Sequence, residues 1–204
     1  MTGNEIIAAV IAIVLGYLLG SIPSAYIAAR LIKGKDIRQL GGGNVGALNT
    51  FMEVGRLAGI AVLLADAGKG TAAVAIARLL NVPLPFILLA GMAVVAGHNW
   101  SIFLRFSGGK GMATLLGVLA ILMPRELLIV LAIAIVPMVI TRNVALFMSI
   151  GLASVPVSAW LIEESVLLVA FSTVLLLGMG LRYLPTARAA WVKSKGVKDF
   201  VWGH

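Results

Sequence analysis

Cysteine is absent from this sequence, and charged side chains are scarce. Without cysteine the chain forms no disulfide, thiol nucleophile or cysteine metal site. The two histidines, His98 and His204, are too few for a histidine metal cluster, so we expect no metal site. We also expect no cofactor. Charged residues form only 12% of the 204 residues, whereas soluble domains contain about 25%. This scarcity excludes an ordinary soluble domain.

Hydrophobic residues supply 61% of the chain, and their long runs predict membrane-spanning helices. The runs are Ile6 to about Leu31 with a kink at Pro23, Leu57 to Leu80, Phe86 to Ala96, 112–123, 127–140, 144–161 and 166–181. A span needs about 20 residues, so 112–123 is expected to be tilted, re-entrant or extended into the preceding turn. We expect an all-α integral membrane protein, a bundle of about seven transmembrane helices in a single domain, residues 1–204. Five helices is the alternative, if 112–140 forms one bent span.

The basic residues predict how the chain lies in the membrane. A net charge of +8 is compatible with nucleic acid binding, but these residues lie in short loops, which membrane topology explains better. Thirteen of them fall in segments 30–56, 97–110, 141–143 and 182–204, against two, Arg78 and Arg125, in the alternate loops. Positively charged loops stay in the cytoplasm. We therefore expect the N-terminus outside, the C-terminus in the cytoplasm, and both glycine-rich loops on the cytoplasmic face.

A polar segment, residues 97–111, separates two apolar runs and contains Gly108-Gly109-Lys110-Gly111. Its glycines allow positive φ and close approach to a ligand. Consecutive amide groups in such a turn bind anions, here beside the Lys110 charge, and the helix that follows adds its N-terminus. These features favour a phosphate. His98 supplies an imidazole, the side chain that most often transfers protons near neutral pH. The structural alternatives are a flexible loop with Lys110 facing lipid headgroups and a helix-capping His98.

A second glycine-rich stretch, residues 41–49, predicts another phosphate cradle, with a simple linker as the alternative. Its expected ligands are Gly43, Asn44, Gly46 and Asn49. Asp66 and Lys69 lie three residues apart on a predicted helix, where they can pair. Ionisable groups at membrane depth are costly and are candidates for function. A neutralised pair that shapes the bundle is the alternative for Asp66 and Lys69.

Five motifs between about residues 15 and 115 carry a family resemblance. They are Gly20-Ser21-Ile22-Pro23-Ser24-Ala25-Tyr26 with Arg30, Gly43-Asn44-Val45-Gly46-Ala47 with Asn49, Asp66-Ala67-Gly68-Lys69-Gly70, Gly97-His98, and Phe103-Leu104 through Gly108-Gly109-Lys110-Gly111 with Ala113-Thr114. In order and spacing they resemble the bacterial acyl-phosphate:glycerol-3-phosphate acyltransferases. The resemblance implies about seven helices in the bacterial cell membrane and a cytoplasmic-side active site. It also implies transfer of a fatty acyl group from acyl phosphate to the 1-hydroxyl of glycerol-3-phosphate, which gives lysophosphatidic acid for phospholipid synthesis.

The resemblance also suggests roles for individual residues. Acyl phosphate is an activated mixed anhydride, so the protein has to hold two phosphates and stabilise the departing one rather than supply a nucleophile. We expect Lys110 to stabilise the departing phosphate, and His98 or the substrate's own phosphate to take the proton. The expected substrate-binding residues are Ser24, Arg30, Gly43, Asn44, Gly46, Asn49, Asp66, Lys69, Gly108, Gly109 and Gly111. The expected partners are acyl phosphate, glycerol-3-phosphate and membrane lipids, without nucleic acid.

The sequence departs from the resembling family at several expected phosphate ligands. Gly42 stands where the family has serine, Leu48 where it has threonine, and Met52 where it has arginine. A serine-bearing stretch has Ala145 and Phe147, and a His-Arg-x-Asn-like motif reads Tyr183-Leu184-Pro185-Thr186. These changes affect the glycerol-3-phosphate half of the site more than the acyl-phosphate half. The alternatives are a divergent paralogue with another acceptor, and a non-catalytic lipid-binding, anion-binding or transport protein. A transporter often has paired halves, and the sequence contains no such internal repeat.

Overall fold

The structure is a computed structural model that describes residues 2–194, 196, 197 and 201. Every regular element in this part of the chain is helical, which confirms the predicted all-α fold. The helices are α1 (Gly3–Ser21), α2 (Ser24–Lys33), α3 (Ala47–Glu53), α4 (Arg56–Leu79), α5 (Leu84–Asn99), α6 (Met112–Leu122), α7 (Pro124–Thr141), α8 (Val144–Ala153), α9 (Val155–Glu163) and α10 (Val166–Lys193). Short 3₁₀ turns occupy Ile37–Gln39 and Ile102–Leu104.

Six helical segments of the described chain are long and apolar enough to cross a membrane. They are Gly3–Lys33, Arg56–Leu79, Leu84–Leu104, Pro124–Thr141, Val144–Glu163 and Val166–Val192. Helix α6 is also apolar, but its 11 residues extend only ~16 Å, about half of the hydrocarbon core. All seven predicted apolar runs therefore contain helix, and six reach spanning length. The integral membrane class is confirmed, and the orientation of the termini stays a prediction.

Helix boundaries follow the predicted runs closely, with three corrections. The first run breaks at Pro23 between α1 and α2, as expected for a residue that lacks an amide hydrogen. Helix α5 continues to Asn99, so His98 lies in its last turn rather than in a loop. Residues Ala47–Glu53 form α3 inside the expected loop 30–56. Helix α10 continues to Lys193 because the residues beyond 181 include good helix formers, so most of the expected C-terminal loop is helical.

The chain divides into two compact units, one ending at Leu122 and one beginning at Met123. In the first unit, α1 packs against α5 and α4 packs against α6. A Cβ at Gly70 or Gly117 would overlap a backbone carbonyl of the facing helix, so α4 and α6 approach each other through these glycines. In the second unit, α7 packs against α8, where a Cβ at Gly151 would lie 2.7 Å from the Val130 carbonyl oxygen.

Candidate active site

The close packing of α1 against α5 fixes the place of the candidate site in the first unit. A Cβ at Gly20 on α1 or at Gly97 on α5 would overlap backbone carbonyls of the facing helix. Glycine at both positions allows the two backbones to approach closely. As a result, the helix break at Pro23 lies beside the last turn of α5, which carries His98.

Asp66, Lys69 and His98 form a buried polar cluster at this point. Their side chains are only 2%, 6% and 7% exposed, respectively. The Lys69 ammonium lies 2.8 Å from Asp66 Oδ1, which confirms the pairing expected from their spacing on α4. The same ammonium lies 2.8 Å from Nδ1 of His98, so the cluster joins α4 to α5. The sequence did not predict that His98 belongs to this pair.

The contact between Lys69 and His98 indicates which ring nitrogen of His98 carries the hydrogen. An ammonium group has three donors and no acceptor. The Lys69 ammonium forms an ion pair with Asp66 Oδ1 (2.8 Å), donates to the Ile22 carbonyl (3.2 Å) and lies 2.8 Å from His98 Nδ1. Asp66 Oδ1 is 3.7 Å from Nδ1, too far for a hydrogen bond. Because an ammonium can only donate, this contact favours Nδ1 of His98 as the acceptor and the tautomer with hydrogen on Nε2. This geometry argues against the predicted role of His98 as a general base.

A small pocket lies over the buried cluster and is lined by residues of four helices, α1, α2, α4 and α5, and of the segments between helices. The lining residues are Gly20, Ser21, Ile22, Pro23, Ser24, Ala25, Val45, Asp66, Lys69, His98, Ser101, Leu104 and Gly108. Five of them, Ser24, Asp66, Lys69, His98 and Gly108, belong to the predicted site, and the structure brings these five together.

Two lining serines were not predicted as site residues. The hydroxyl of Ser101 donates a hydrogen bond to the Ser21 carbonyl (2.5 Å). The hydroxyl of Ser21 is itself buried and has no hydrogen-bond partner within the described residues. Because each serine lies in one of the polar motifs that interrupt the apolar runs, their positions in the sequence were an available signal.

The Gly108-Gly109-Lys110-Gly111 loop differs from the predicted phosphate cradle in its backbone. The amide of Gly108 donates to the Asn99 carbonyl (3.1 Å), and that of Gly109 donates to the His98 carbonyl (3.0 Å). Both amides are therefore already hydrogen-bonded within the protein. Only Gly111 has a positive φ, +81°, while the other two glycines are required by space. Lys110 is partly buried, directly before α6 begins at Met112.

Gly109 is the point where the two glycine-rich loops meet. A Cβ at Gly109 would overlap both His98 Nε2 and the carbonyl oxygen of Val45. Val45 lies in the 41–49 stretch, between the predicted ligands Asn44 and Gly46. The structure therefore brings the second glycine-rich stretch against the loop that carries Lys110, as expected if the two build one site.

The 41–49 stretch is shaped by Asn49, whose side-chain amide is fully engaged with the loop backbone. Its Nδ2 donates to the carbonyls of Leu40 (3.1 Å) and Asn44 (3.0 Å), and its Oδ1 accepts from the amide of Gly42 (3.3 Å). Asn49 therefore holds the backbone of this loop, and its role in substrate binding stays a prediction. Asn44 is half-buried, and its side chain makes no hydrogen bond within the described residues, so it is available to a ligand.

Glycine has a clear conformational role at one of the two remaining predicted positions in this stretch. Gly43 has a φ of +69°, in the left-handed region that favours glycine. Gly46 is buried in extended conformation directly before α3, and its carbonyl accepts hydrogen bonds from the amide (3.1 Å) and the hydroxyl (3.0 Å) of Thr50. The backbone conformation therefore favours glycine at position 43, whereas Gly46 provides a carbonyl acceptor for the first turn of α3.

Arg30 lies outside the pocket, on the exposed side of α2. Its Nε donates to the Tyr26 hydroxyl (3.1 Å), and its guanidinium lies 5.3 Å from the centre of the Tyr26 ring. Arg38 lies over the same ring at 5.7 Å and forms an ion pair with Asp36 (2.6 Å). Hydrogen bonds from Arg38 hold the pKa of the Asp36 carboxyl below its usual value. These arginines place positive charge beside the site, but the structure does not bring Arg30 into the pocket.

The positions that depart from the resembling family lie in both units. Leu48 and Met52 lie one helical turn apart on α3 and are 46% and 73% exposed. Gly42 is exposed, with no heavy atom within 4 Å of an added Cβ. Ala145 lies on α8 and Thr186 on α10, in the second unit.

Comparison with known proteins identifies the family. Residues 10–188 match the family model for glycerol-3-phosphate acyltransferase. Glycerol-3-phosphate acyltransferase 1 of Dehalococcoides mccartyi is 44% identical over 178 residues, which cover 84% of this chain and 86% of the relative. A relative of the same name from Desulforudis audaxviator is 45% identical over 152 residues, covering 74% and 76%.

Two solved structures of PlsY, an integral membrane glycerol 3-phosphate acyltransferase, also match. The glycerol 3-phosphate form matches with a TM-score of 0.84 and 29% identity, covering 90% of this chain and 92% of that chain. The lysophosphatidic acid form matches with a TM-score of 0.79 and 25% identity, covering 95% and 98%. The chain therefore belongs to the glycerol-3-phosphate acyltransferase family, as a multi-pass bacterial membrane protein.

Proposed function

We propose that this chain transfers a fatty acyl group from acyl phosphate to the 1-hydroxyl of glycerol-3-phosphate and so forms lysophosphatidic acid for phospholipid synthesis. Its membership of the glycerol-3-phosphate acyltransferase family, over residues 10–188, supports glycerol-3-phosphate as the acceptor and lysophosphatidic acid as the product. The likeness to PlsY structures in glycerol 3-phosphate and lysophosphatidic acid forms supports both. Acyl phosphate as the donor rests on the motif resemblance and on the chemistry of the site.

The proposed reaction needs no covalent intermediate with the protein. The hydroxyl oxygen of glycerol-3-phosphate attacks the acyl carbon, the carbon–oxygen bond to phosphate breaks, and the hydroxyl proton ends on a phosphate oxygen. Because the donor is already activated, the protein contributes orientation and stabilisation of the charge on the departing phosphate. Substrate phosphate is the better proton acceptor in this scheme, since His98 Nδ1 already accepts from Lys69.

We assign the charge stabilisation to Lys110. Its loop is held by hydrogen bonds from the Gly108 and Gly109 amides, so the ammonium extends from a fixed backbone. Ser24 and Asn44 are the proposed polar contacts to substrate, because neither side chain is engaged in a hydrogen bond within the described residues. Positive charge for the second phosphate comes from Arg30 and Arg38, which lie over the Tyr26 ring.

Acyl transfer to a different acceptor is the second candidate. The exposed apolar side chains of Leu48 and Met52 favour this second candidate. The resembling family has threonine and arginine, respectively, at these positions, and both can contact the phosphate of a phosphorylated acceptor. Purified protein supplied with acyl phosphate and a panel of alcohols, with and without a phosphate group, separates the two candidates. Lysophosphatidic acid as the main product supports the first, and esters of other alcohols support the second.

Lys110→Ala is the variant that tests the assignment of charge stabilisation. We expect kcat to fall by about 10²-fold or more, as when a main charge-stabilising group is removed. Lys110→Arg should rescue poorly, because a planar guanidinium does not replace a compact ammonium. The exposed residue Lys35, changed to alanine, is the matched control and should leave kcat unchanged. Normal turnover in Lys110→Ala would remove this residue from the mechanism.

A further inference from the structure

We propose that Asp66 and Lys69 are positioning residues that hold His98 as one neutral tautomer, and that His98 in turn holds the loop carrying Lys110. This inference rests on the proposed function, because it is Lys110 that the loop delivers to substrate. It replaces the two roles expected from the sequence, a general base for His98 and substrate contact for Asp66 and Lys69. Each step follows from contacts within the first unit.

The first step concerns the contacts through which Lys69 holds the imidazole of His98. Lys69 forms an ion pair with Asp66, donates a hydrogen bond to the Ile22 carbonyl and lies 2.8 Å from His98 Nδ1. The Ile22 carbonyl lies at the break between α1 and α2, where it accepts the Ser24 amide (3.1 Å) as well as the Lys69 ammonium. The ammonium is therefore fixed by α1 and α4 and orients the imidazole of α5.

The second step concerns the contact of His98 with Gly109 in the loop that carries Lys110. The carbonyl of His98 accepts the Gly109 amide (3.0 Å), and the ring atom Nε2 lies where a Cβ of residue 109 would be. The ring and the carbonyl of His98 thus fix the position of the loop backbone at Gly109. A rotated or differently protonated imidazole would move the backbone directly before Lys110.

The third step is the burial of the whole cluster. The side chains of Asp66, Lys69 and His98 are 2%, 6% and 7% exposed, and they are the titratable groups that line the pocket. An ion pair at this depth is expensive to desolvate unless its hydrogen bonds are satisfied. Retaining it in a helix bundle is understandable if it specifies one arrangement of His98, which an apolar pair of equal volume cannot do.

Nitrogen NMR of the imidazole tests the tautomer without any substrate. The chain has two histidines, so His204→Gln leaves His98 as the one labelled imidazole in ¹⁵N-histidine protein. We expect a neutral ring with hydrogen on Nε2 and none on Nδ1. Lys69→Met should remove this preference, while Lys33→Met, the same change at an exposed lysine, should not. Hydrogen on Nδ1 in the parent, or an unchanged ring in Lys69→Met, would overturn the proposal.

Kinetics of the same variants separate positioning from base catalysis. If His98 positions the loop, His98→Asn and Lys69→Met each lower kcat, by up to about 10²-fold for a displacement near 1 Å. Both should leave the shape of the pH profile unchanged. The double variant should be little worse than either single one, since the residues act in series. Loss of one limb of the profile in His98→Asn alone, or additive losses, would restore the base role.

The two readouts also keep this inference apart from the proposed function. If the parent transfers no acyl group to any acceptor while the NMR result is as expected, the proposed function fails and the hydrogen-bonded cluster remains. If Lys69→Met does not fold, the parent spectrum alone still decides the tautomer. If the parent is active and its tautomer is the opposite one, the positioning role fails and the acyltransferase remains.

Discussion

Restoring an arginine at position 52 should strengthen the binding of glycerol-3-phosphate. Met52 and Leu48 lie one turn apart on α3 and therefore on one helix face, and they are 73% and 46% exposed. Their helix follows the stretch that contacts the loop of Lys110 at Gly109. Because both side chains are exposed, Met52→Arg with Leu48→Thr has little effect on folding, which allows the change in binding to be measured by itself.

The expected gain can be bounded from the energy of one charge-assisted contact. Hydrogen bonds to charged groups contribute about 1.5–3 kcal/mol. At about 1.4 kcal/mol per decade this corresponds to roughly 10–150-fold in affinity. The exposure of residue 52 favours the lower end, because solvent and salt screen an exposed pair. We therefore expect the KM for glycerol-3-phosphate to fall about tenfold in the double variant, with kcat nearly unchanged, as for an interaction made equally in ground and transition states.

The assay is initial-rate acyl transfer at saturating acyl phosphate, with glycerol-3-phosphate varied. Met52→Gln is the matched control, since it is polar and of similar length but carries no charge. Its KM should stay at the parental value, and the gain from Met52→Arg should shrink as salt is raised. A parental KM that is already low and rises in the double variant would refute the reasoning, because another cation would then hold the acceptor phosphate.

Three further predictions concern packing, burial and topology. Gly117→Ala should destabilise the protein by about 1–3 kcal/mol, because its Cβ would overlap a carbonyl of α4; Gly178→Ala, with open space, should not. Glu126 is fully buried, and its carboxylate has no hydrogen-bond partner among the described residues. Glu126→Gln should therefore not lower the thermal unfolding temperature, since it breaks no hydrogen bond seen in the structure and keeps the size of the side chain; a lower temperature would contradict this reasoning. Single cysteines can be introduced at Ser107 and Glu163 in this cysteine-free chain and exposed to a thiol reagent that stays outside intact cells. The cysteine at 163 should be labelled and the one at 107 protected; the reverse pattern would invert the predicted orientation.

The fold could be predicted well from the sequence because hydrophobic run length and proline position are local properties. The break at Pro23 and the helix between about residues 57 and 80 needed nothing beyond them. Local composition predicted less about the polar segments. The α5 helix continues through His98, and a short helix begins at Ala47, because helical hydrogen bonds extend into residues that are polar but not helix-breaking. Composition marks where an apolar run stops, which is earlier than where the helix stops.

The residues of the site were predicted better than their roles. A sequence shows that Asp66 and Lys69 can pair, since both lie on one helix, but His98 joins them through contacts between helices that no spacing encodes. Glycine raises the same difficulty. It serves a turn that needs positive φ, as at Gly111, and equally a close approach that leaves no room for Cβ, as at Gly109.

The distinction between these two uses of glycine changes how the phosphate site is understood. A cradle needs amide groups that point at the ligand, whereas the amides of Gly108 and Gly109 are donated to the carbonyls at the end of α5. These two amides therefore hold the backbone directly before Lys110 and are not directed at an anion. Under the proposed mechanism, stabilisation of the departing phosphate then depends on the Lys110 ammonium, and Lys110→Ala should leave little residual stabilisation from the Gly108 and Gly109 amides.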